Sequence, residues 1–187
     1  RQVVTILFMD FCNFSSISHD FTPDQLLQLL NDYFAELATS IFDNKGYMDK
    51  ILGDGFMALF NVPVGLSDHA MMAVRAAVQM RRQLFHKNLL HEVPMRMRVG
   101  IHTGEAIVGN IGTARFMNYT AIGDAVNFSK RLEESSEPGQ ILLSAATRNL
   151  LNMSRLEMDG IQICGLGQRN FKGFTQPEDI YHIKDMT

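Results

Sequence analysis

With 187 residues, 46% of them hydrophobic and 20% charged, the chain has the make-up of one folded domain, which excludes disorder and low-complexity architectures. Its 17 basic and 20 acidic residues give a net charge of -3 with no Lys/Arg block, so an extended nucleic-acid surface is excluded as well. No apolar run reaches the roughly 20 residues needed to cross a bilayer. Cys12 and Cys164 supply neither a disulfide framework nor a CxxC metal site, so a soluble domain in a reducing, cytoplasmic setting with no membrane contact of its own is expected.

The chain opens inside an apolar, β-branched run from Val3 to Phe8, which reads as a strand and suggests a domain excised from a longer chain. Thr22, Pro23 and Gln25 spell a helix start with a capping box, and Leu26, Leu30, Tyr33, Phe34, Leu37 and Ile41 form its buried stripe up to about Asn44. Tyr47 to Leu52 and Phe56 to Phe60 read as a β-hairpin turning at Gly53-Asp54-Gly55. Ser67 is placed as the cap of a second helix, with Ala70, Val74, Ala77, Arg81, Leu84 and Phe85 as its stripe, ending before Pro94.

Met95 to Ile101 and Ala106 to Val108 read as two strands around Thr103-Gly104, followed by a strand from Phe116 to Ile122. Gly123-Asp124 opens a third helix to about Ser135, broken by Pro138-Gly139. The tail carries strands near Ile141 to Leu143, Ile161 to Cys164 and Ile180 to Ile183, with a short helix from Ala145 to Leu151. The order strand, helix, strand, strand, helix, strand predicts an α+β sandwich with a ferredoxin-like βαββαβ core and a C-terminal extension, in a single domain over residues 1–187.

Asp10 closes the first strand and Asp54 sits at the hairpin tip, so two carboxylates from adjacent strand ends could chelate hard divalent cations. An Asp in a Gly-Asp-Gly turn is equally at home as a turn former, whereas a carboxylate directly after a buried strand points to a site. Asn127 and Arg131 share a face of the third helix, an amide beside a cationic fork suited to a phosphoryl transition state, although an exposed helix Arg is the plainer reading. Lys50, Arg98 and Lys172 are isolated cations in apolar or glycine-punctuated segments; each could snorkel, and together they could hold a triphosphate.

The segments VTILFMDFCNF, DKILGDGFMALF, RVGIHTGEAIVGNIGT, YTAIGDAVNFSKRLE, PGQILLS and FKGF, in this order from Val3 to about Ile183, resemble the catalytic domain of the class III nucleotidyl cyclases, the adenylate and guanylate cyclase family. The resemblance implies that Asp10, Asp54 and the backbone carbonyl of Phe11 hold two Mg²⁺ or Mn²⁺ ions per site, the arrangement of two-metal in-line displacement. It implies ribose positioning by Asn127, transition-state stabilisation by Arg131, triphosphate contacts from Arg98 and Lys172, and a phosphate loop lined by the amides near Phe14 and Ser15.

Lys50 and Thr120 match the family's purine-selecting pair. Lys with Asp or Thr marks ATP, and Glu with Cys marks GTP, so the resemblance points to an adenylate cyclase that forms cyclic AMP. It further implies a homodimer with two composite sites, Asp10, Asp54 and Arg98 from one chain facing Lys50, Thr120, Asn127, Arg131 and Lys172 from the other, with regulatory domains elsewhere in the protein. The chain departs from the family pattern at Asn13, where glycine is usual, and at Phe128 and Lys130. A guanylate cyclase and a silent nucleotide-binding dimerisation domain remain the rival readings; the absence of GGDEF argues against a diguanylate cyclase.

Overall fold

The computed structural model describes residues 1–19, 21–90 and 94–185, with backbone alone at Ser15 and Asp185. His91, a histidine without an assigned role, lies outside the described residues. The chain runs β1 (Gln2–Phe11), α1 (Phe14–Ser18), α2 (Pro23–Asp43), β2 (Tyr47–Leu52), β3 (Gly55–Phe60), α3 (His69–Asn88), β4 (Met97–Thr113), β5 (Phe116–Ile122) and α4 (Asp124–Glu134). It ends in β6 (Ile141–Ser144), α5 (Ala145–Arg148), α6 (Met153–Met158), β7 (Ile161–Arg169) and β8 (Glu178–Asp185).

The sheet order is β2-β3-β1-β4-β6-β8-β7, with β5 paired to β4 outside this path. The first four of these strands, with α2 and α3 as crossovers, form the ferredoxin-like core expected from the element order. β1 lies antiparallel between β3 and β4, which explains its near-continuous apolar sequence: both faces and both edges are covered. Its side chains alternate between two layers. Leu7, Met9 and Phe11 pack with Tyr33, Phe34 and Leu37 of α2 and Val74 of α3, whereas Val4, Ile6 and Phe8 pack with Ala125 of α4.

The capping box of α2 is formed, with the Thr22 amide donating to Gln25 Oε1 at 2.9 Å and the Gln25 amide donating to Thr22 Oγ1 at 3.4 Å. α3 starts one residue later than expected: Asp68, rather than Ser67, holds the N-cap position and makes no side-chain cap bond. Val74, Ala77, Met80 and Leu84 carry its buried face, which leaves Phe85 63% exposed and outside the core stripe. The small helices α1 and α6 were not foreseen.

The largest correction concerns β4. The two strands expected around Thr103-Gly104 are one strand of 17 residues, paired to β1 from Met97 to Ala106 and then to β5 from Ile107 to Thr113. Gly104 does not turn the chain; a Cβ there would come within 2.9 Å of the Ala125 methyl, so the glycine admits α4. The same holds two turns further along α4, where a Cβ on Gly100 would stand 2.2 Å from the Glu133 amide nitrogen. Ser129 Oγ lies 2.8 Å from the Ile6 carbonyl and 3.1 Å from the Gly100 carbonyl, locking the helix onto β1 and β4.

Beyond this core, β6 runs parallel to β4, and β8 and β7 complete the sheet. Phe171 packs on Phe128 of α4 at 5.0 Å between ring centroids, which anchors the segment that carries Lys172. Among the described residues, no helix is long and apolar enough to cross a membrane.

Candidate active site

Asp10 is the first residue of β1 after Phe8 to face α4, and it pairs with Gly55 of β3 on one side and Arg98 of β4 on the other. Asp54 occupies the tight turn before β3, entered through Gly53 at φ +65°, a conformation that suits glycine. The Phe11 amide donates to the Asp54 carbonyl at 3.2 Å and ties the turn to the end of β1. The Phe11 ring anchors this end, 5.6 Å from Tyr33 and 5.9 Å from Phe34 between centroids. A Cβ on Gly55 would meet the Met9 carbonyl at 2.2 Å and Asp10 Oδ1 at 2.7 Å, so the glycine lets the two aspartates approach.

Burial pushes the Asp54 carboxyl above the usual carboxylate range, and the charge of Asp10 pushes it further, against the Asp54 backbone, Arg98 and Lys130. Two hard oxygen donors that repel each other in a half-buried setting fit a divalent cation, which relieves the repulsion. Among the described residues no group of three or more His, Cys, Asp or Glu forms a metal cage. One or two carboxylates completed by substrate phosphates is the arrangement usual for Mg²⁺.

Arg98 donates from Nη2 to Asp10 Oδ2 at 2.9 Å, and its Nε lies 2.6 Å from Glu133 Oε1 in an ion pair that is close but not aligned as a hydrogen bond. The Glu133 side chain is fully buried and also pairs with Lys130, whose ammonium lies over the Phe8 ring. Lys130 is thus engaged with Glu133 while its side chain stays partly exposed. Asn13 adopts φ 58° and ψ 24°, the left-handed conformation usually left to glycine, so its departure from the family pattern is accommodated. Phe14 and Ser15 follow it in the first turn of α1, where backbone amides lack intrahelical partners.

A second group gathers at a cavity of about 420 Å³ lined by Phe8, Lys50, Leu52, Met57, Ala121, Ile122, Gly123, Val126 and Asn127. Thr120 is next to this wall, 4% exposed, and its hydroxyl donates to Asp49 Oδ2 at 2.8 Å. Lys50 Nζ stands 3.2 Å from the same oxygen. Tyr47 donates from its hydroxyl to the Tyr119 carbonyl at 3.2 Å and pins β2 to β5, which brings the two residues together. Asn127 is exposed on the first turns of α4, and Arg131, one turn on, donates to Glu134 at 2.5 Å. Lys172 is exposed in the turn between β7 and β8.

Sequence reading missed Asp49 and Glu133. Glu133 had a signal: it falls on the stripe of Ala125, Phe128 and Leu132, where a charge needs a partner. Asp49 had none, because its place depends on a strand irregularity.

The sequence and fold that carry this carboxylate pair and cavity are matched by known proteins. The family model for the adenylate and guanylate cyclase catalytic domain matches residues 1–184, and the chain belongs to this family, the class III nucleotidyl cyclases. It is 31% identical over 189 residues to Adenylate cyclase 1 of Rhizobium meliloti (strain 1021), a match over 98% of this chain and 28% of that protein.

Among solved structures it resembles the adenylyl cyclase CyaB from P. aeruginosa, with 33% identity, a TM-score of 0.87 and coverage of 99% of this chain and 95% of the other. It equally resembles the guanylyl cyclase Cya2, with 32% identity, a TM-score of 0.89 and coverage of 97% and 91%. The chain spans between 9% and 36% of the lengths of the relatives it matches by sequence.

Proposed function

We propose that this domain is an adenylate cyclase that converts ATP to 3′,5′-cyclic AMP and pyrophosphate in a homodimer with two composite sites. The observation that carries this reading is that Lys50, which lines a cavity with Asn127, and Thr120, next to its wall, are gathered on one oxygen of Asp49. An ammonium donates to adenine N1, and a hydroxyl oxygen accepts from the 6-amino group. Guanine offers a proton at N1 and an acceptor at O6, which leaves about 1–3 kcal/mol of mismatch per unpaired group.

The ribose 3′-oxygen attacks the α-phosphorus, its proton is released, and the bond from the α-phosphorus to the bridging oxygen of the pyrophosphate breaks. Asp10 and Asp54 are suited to hold two Mg²⁺ or Mn²⁺ ions, which supply a lowered pKa at the 3′-hydroxyl and charge neutralisation on the triphosphate. Asn127 orients the ribose, Arg131 meets the charge growing on the α-phosphate oxygens, and Arg98 with Lys172 holds the triphosphate. Arg131 would leave its exposed Glu134 partner at little cost, since such surface pairs contribute less than about 1 kcal/mol.

The test offers ATP and GTP separately at high protein concentration with Mn²⁺ and resolves cyclic AMP, cyclic GMP and pyrophosphate. Cyclic AMP as the dominant product, lost in Asp54→Ala, is expected. Dominant cyclic GMP would replace the reading with that of a guanylate cyclase, and tight nucleotide binding without pyrophosphate would replace it with that of a binding domain.

A further inference from the structure

Adjacent residues of a regular strand point to opposite faces, yet Asp49 and Lys50 meet. The ladder between β2 and β3 slips between Met48 and Lys50: Met48 pairs with Ala58 and Lys50 with Met57, so Asp49 is the extra residue of a β-bulge. Bulges re-aim side chains and gather next to active sites. Here the bulge puts a carboxylate with no exposed side-chain surface against both members of the pair that faces the purine.

A threonine hydroxyl has one hydrogen and two lone pairs, so by itself it could serve adenine as an acceptor or guanine as a donor. An ionised carboxylate has no hydrogen to give. The hydroxyl hydrogen of Thr120 is committed to Asp49 Oδ2 at 2.8 Å, and only its lone pairs remain. Lys50 Nζ is drawn to the same oxygen at 3.2 Å, which restrains the ammonium while leaving it hydrogens to donate. The second oxygen, Asp49 Oδ1, is buried with no hydrogen-bond partner among the described residues, an unmet acceptor of the kind that packing alone does not explain.

We propose that Asp49 is a positioning residue for purine selection: by taking the Thr120 hydrogen and restraining Lys50 it fixes the pair as acceptor and donor, the pattern adenine completes and guanine does not. This rests on the adenylate cyclase reading of Lys50 and Thr120.

The test measures kcat/KM for ATP and for GTP on the wild-type protein, Asp49→Ala, Thr120→Val and the double variant. The ratio of the two constants within one preparation does not depend on the folded fraction, so a purely structural defect leaves it unmoved. Asp49→Ala is expected to lower the ATP to GTP ratio about tenfold, and to lower it less in the Thr120→Val background, because part of its action passes through Thr120. Asp49→Asn keeps the shape but lets an amide N–H face the hydroxyl, and a smaller fall, about threefold, is expected. Dissociation constants for the α,β-methylene analogues of both nucleotides read the discrimination in binding if turnover is slow, and Asp49→Asn carries the test if the alanine variant does not fold.

A wild type that favours ATP combined with an unchanged ratio in the Asp49 variants overturns the inference alone. A wild type that favours GTP overturns the adenylate cyclase reading, and this inference with it.

Discussion

Arg98 donates to Asp10 across 2.9 Å, so the aspartate at the end of β1 is held by a cation from its neighbouring strand. The same guanidinium is shared with buried Glu133, whose carboxyl is pushed up by burial against the pull of Lys130 and Arg98. The burial cost of that charge is only partly offset by its cations. Removing Arg98 therefore does more than delete a contact.

Arg98→Met is expected to destabilise the fold by about 2 kcal/mol, because it leaves Glu133 dependent on Lys130 alone; the half-exposed position of Arg98 keeps this below the range for wholly buried pairs. Adding Glu133→Gln, which removes the buried charge, is expected to restore most of the loss. Urea denaturation of the two single variants and the double variant measures this, and additive losses would contradict it.

Gly55→Ala forces a methyl against the Met9 carbonyl and the Asp10 carboxylate. The strain is backbone strain that no rotamer relieves. A loss of about 2 kcal/mol, or roughly 4–8 °C in Tm, is expected together with weakened Mn²⁺ binding in titration. A Tm and a Mn²⁺ affinity equal to the wild type would show that the strand end is not tightly packed.

A chain of buried hydroxyls joins two histidines: His69 Nδ1 to Thr5 at 2.7 Å, Thr5 to Thr103 at 2.7 Å, Thr103 to Thr147 at 3.1 Å, Thr147 to Ser144 at 3.2 Å and Ser144 to His102 Nδ1 at 2.8 Å. Burial holds both rings neutral, with His69 pushed below its ordinary value and His102 lowered from 6.5 to about 4. Between those two pH values the unfolded chain binds a proton at His102 that the folded chain refuses. Stability is therefore complete above pH 6.5 and falls as the pH drops toward 4, by up to about 3 kcal/mol from His102. His102→Gln is expected to flatten this acid limb in urea midpoints taken at neutral and acid pH; an unchanged slope would contradict it.

The elements whose signals are local were legible in the sequence. The capping box of α2, the Gly53-Asp54-Gly55 hairpin and the opening of α4 at Gly123 stand where their residues placed them, and the element order led to the right sheet. What failed depends on contacts distant in sequence. Thr103-Gly104 has the composition of a turn, yet Thr103 is buried opposite Thr5 and Gly104 accommodates α4, so β4 continues through both.

The site divided in the same way. Asp10 and Asp54 were legible as a pair because strand ends converge in this topology, and the structure brings them close enough for one charge to act on the other. Lys50 was read as an isolated cation, but its partner is the preceding residue, turned toward it by a bulge that no residue pattern announces. Arg98 too was read as an isolated cation, and it stands between two carboxylates, Asp10 on β1 and Glu133 on α4, that lie far from it in sequence.

The composite site is tested most directly by mixing two inactive chains, Asp54→Ala and Arg131→Ala, and measuring cyclic AMP formed from ATP. In a randomly exchanged homodimer, half the dimers carry both variants, and each of these has one intact site of two. Recovery to about a quarter of the wild-type rate is therefore expected. A mixture no more active than the sum of its separate chains would contradict a site shared between two protomers.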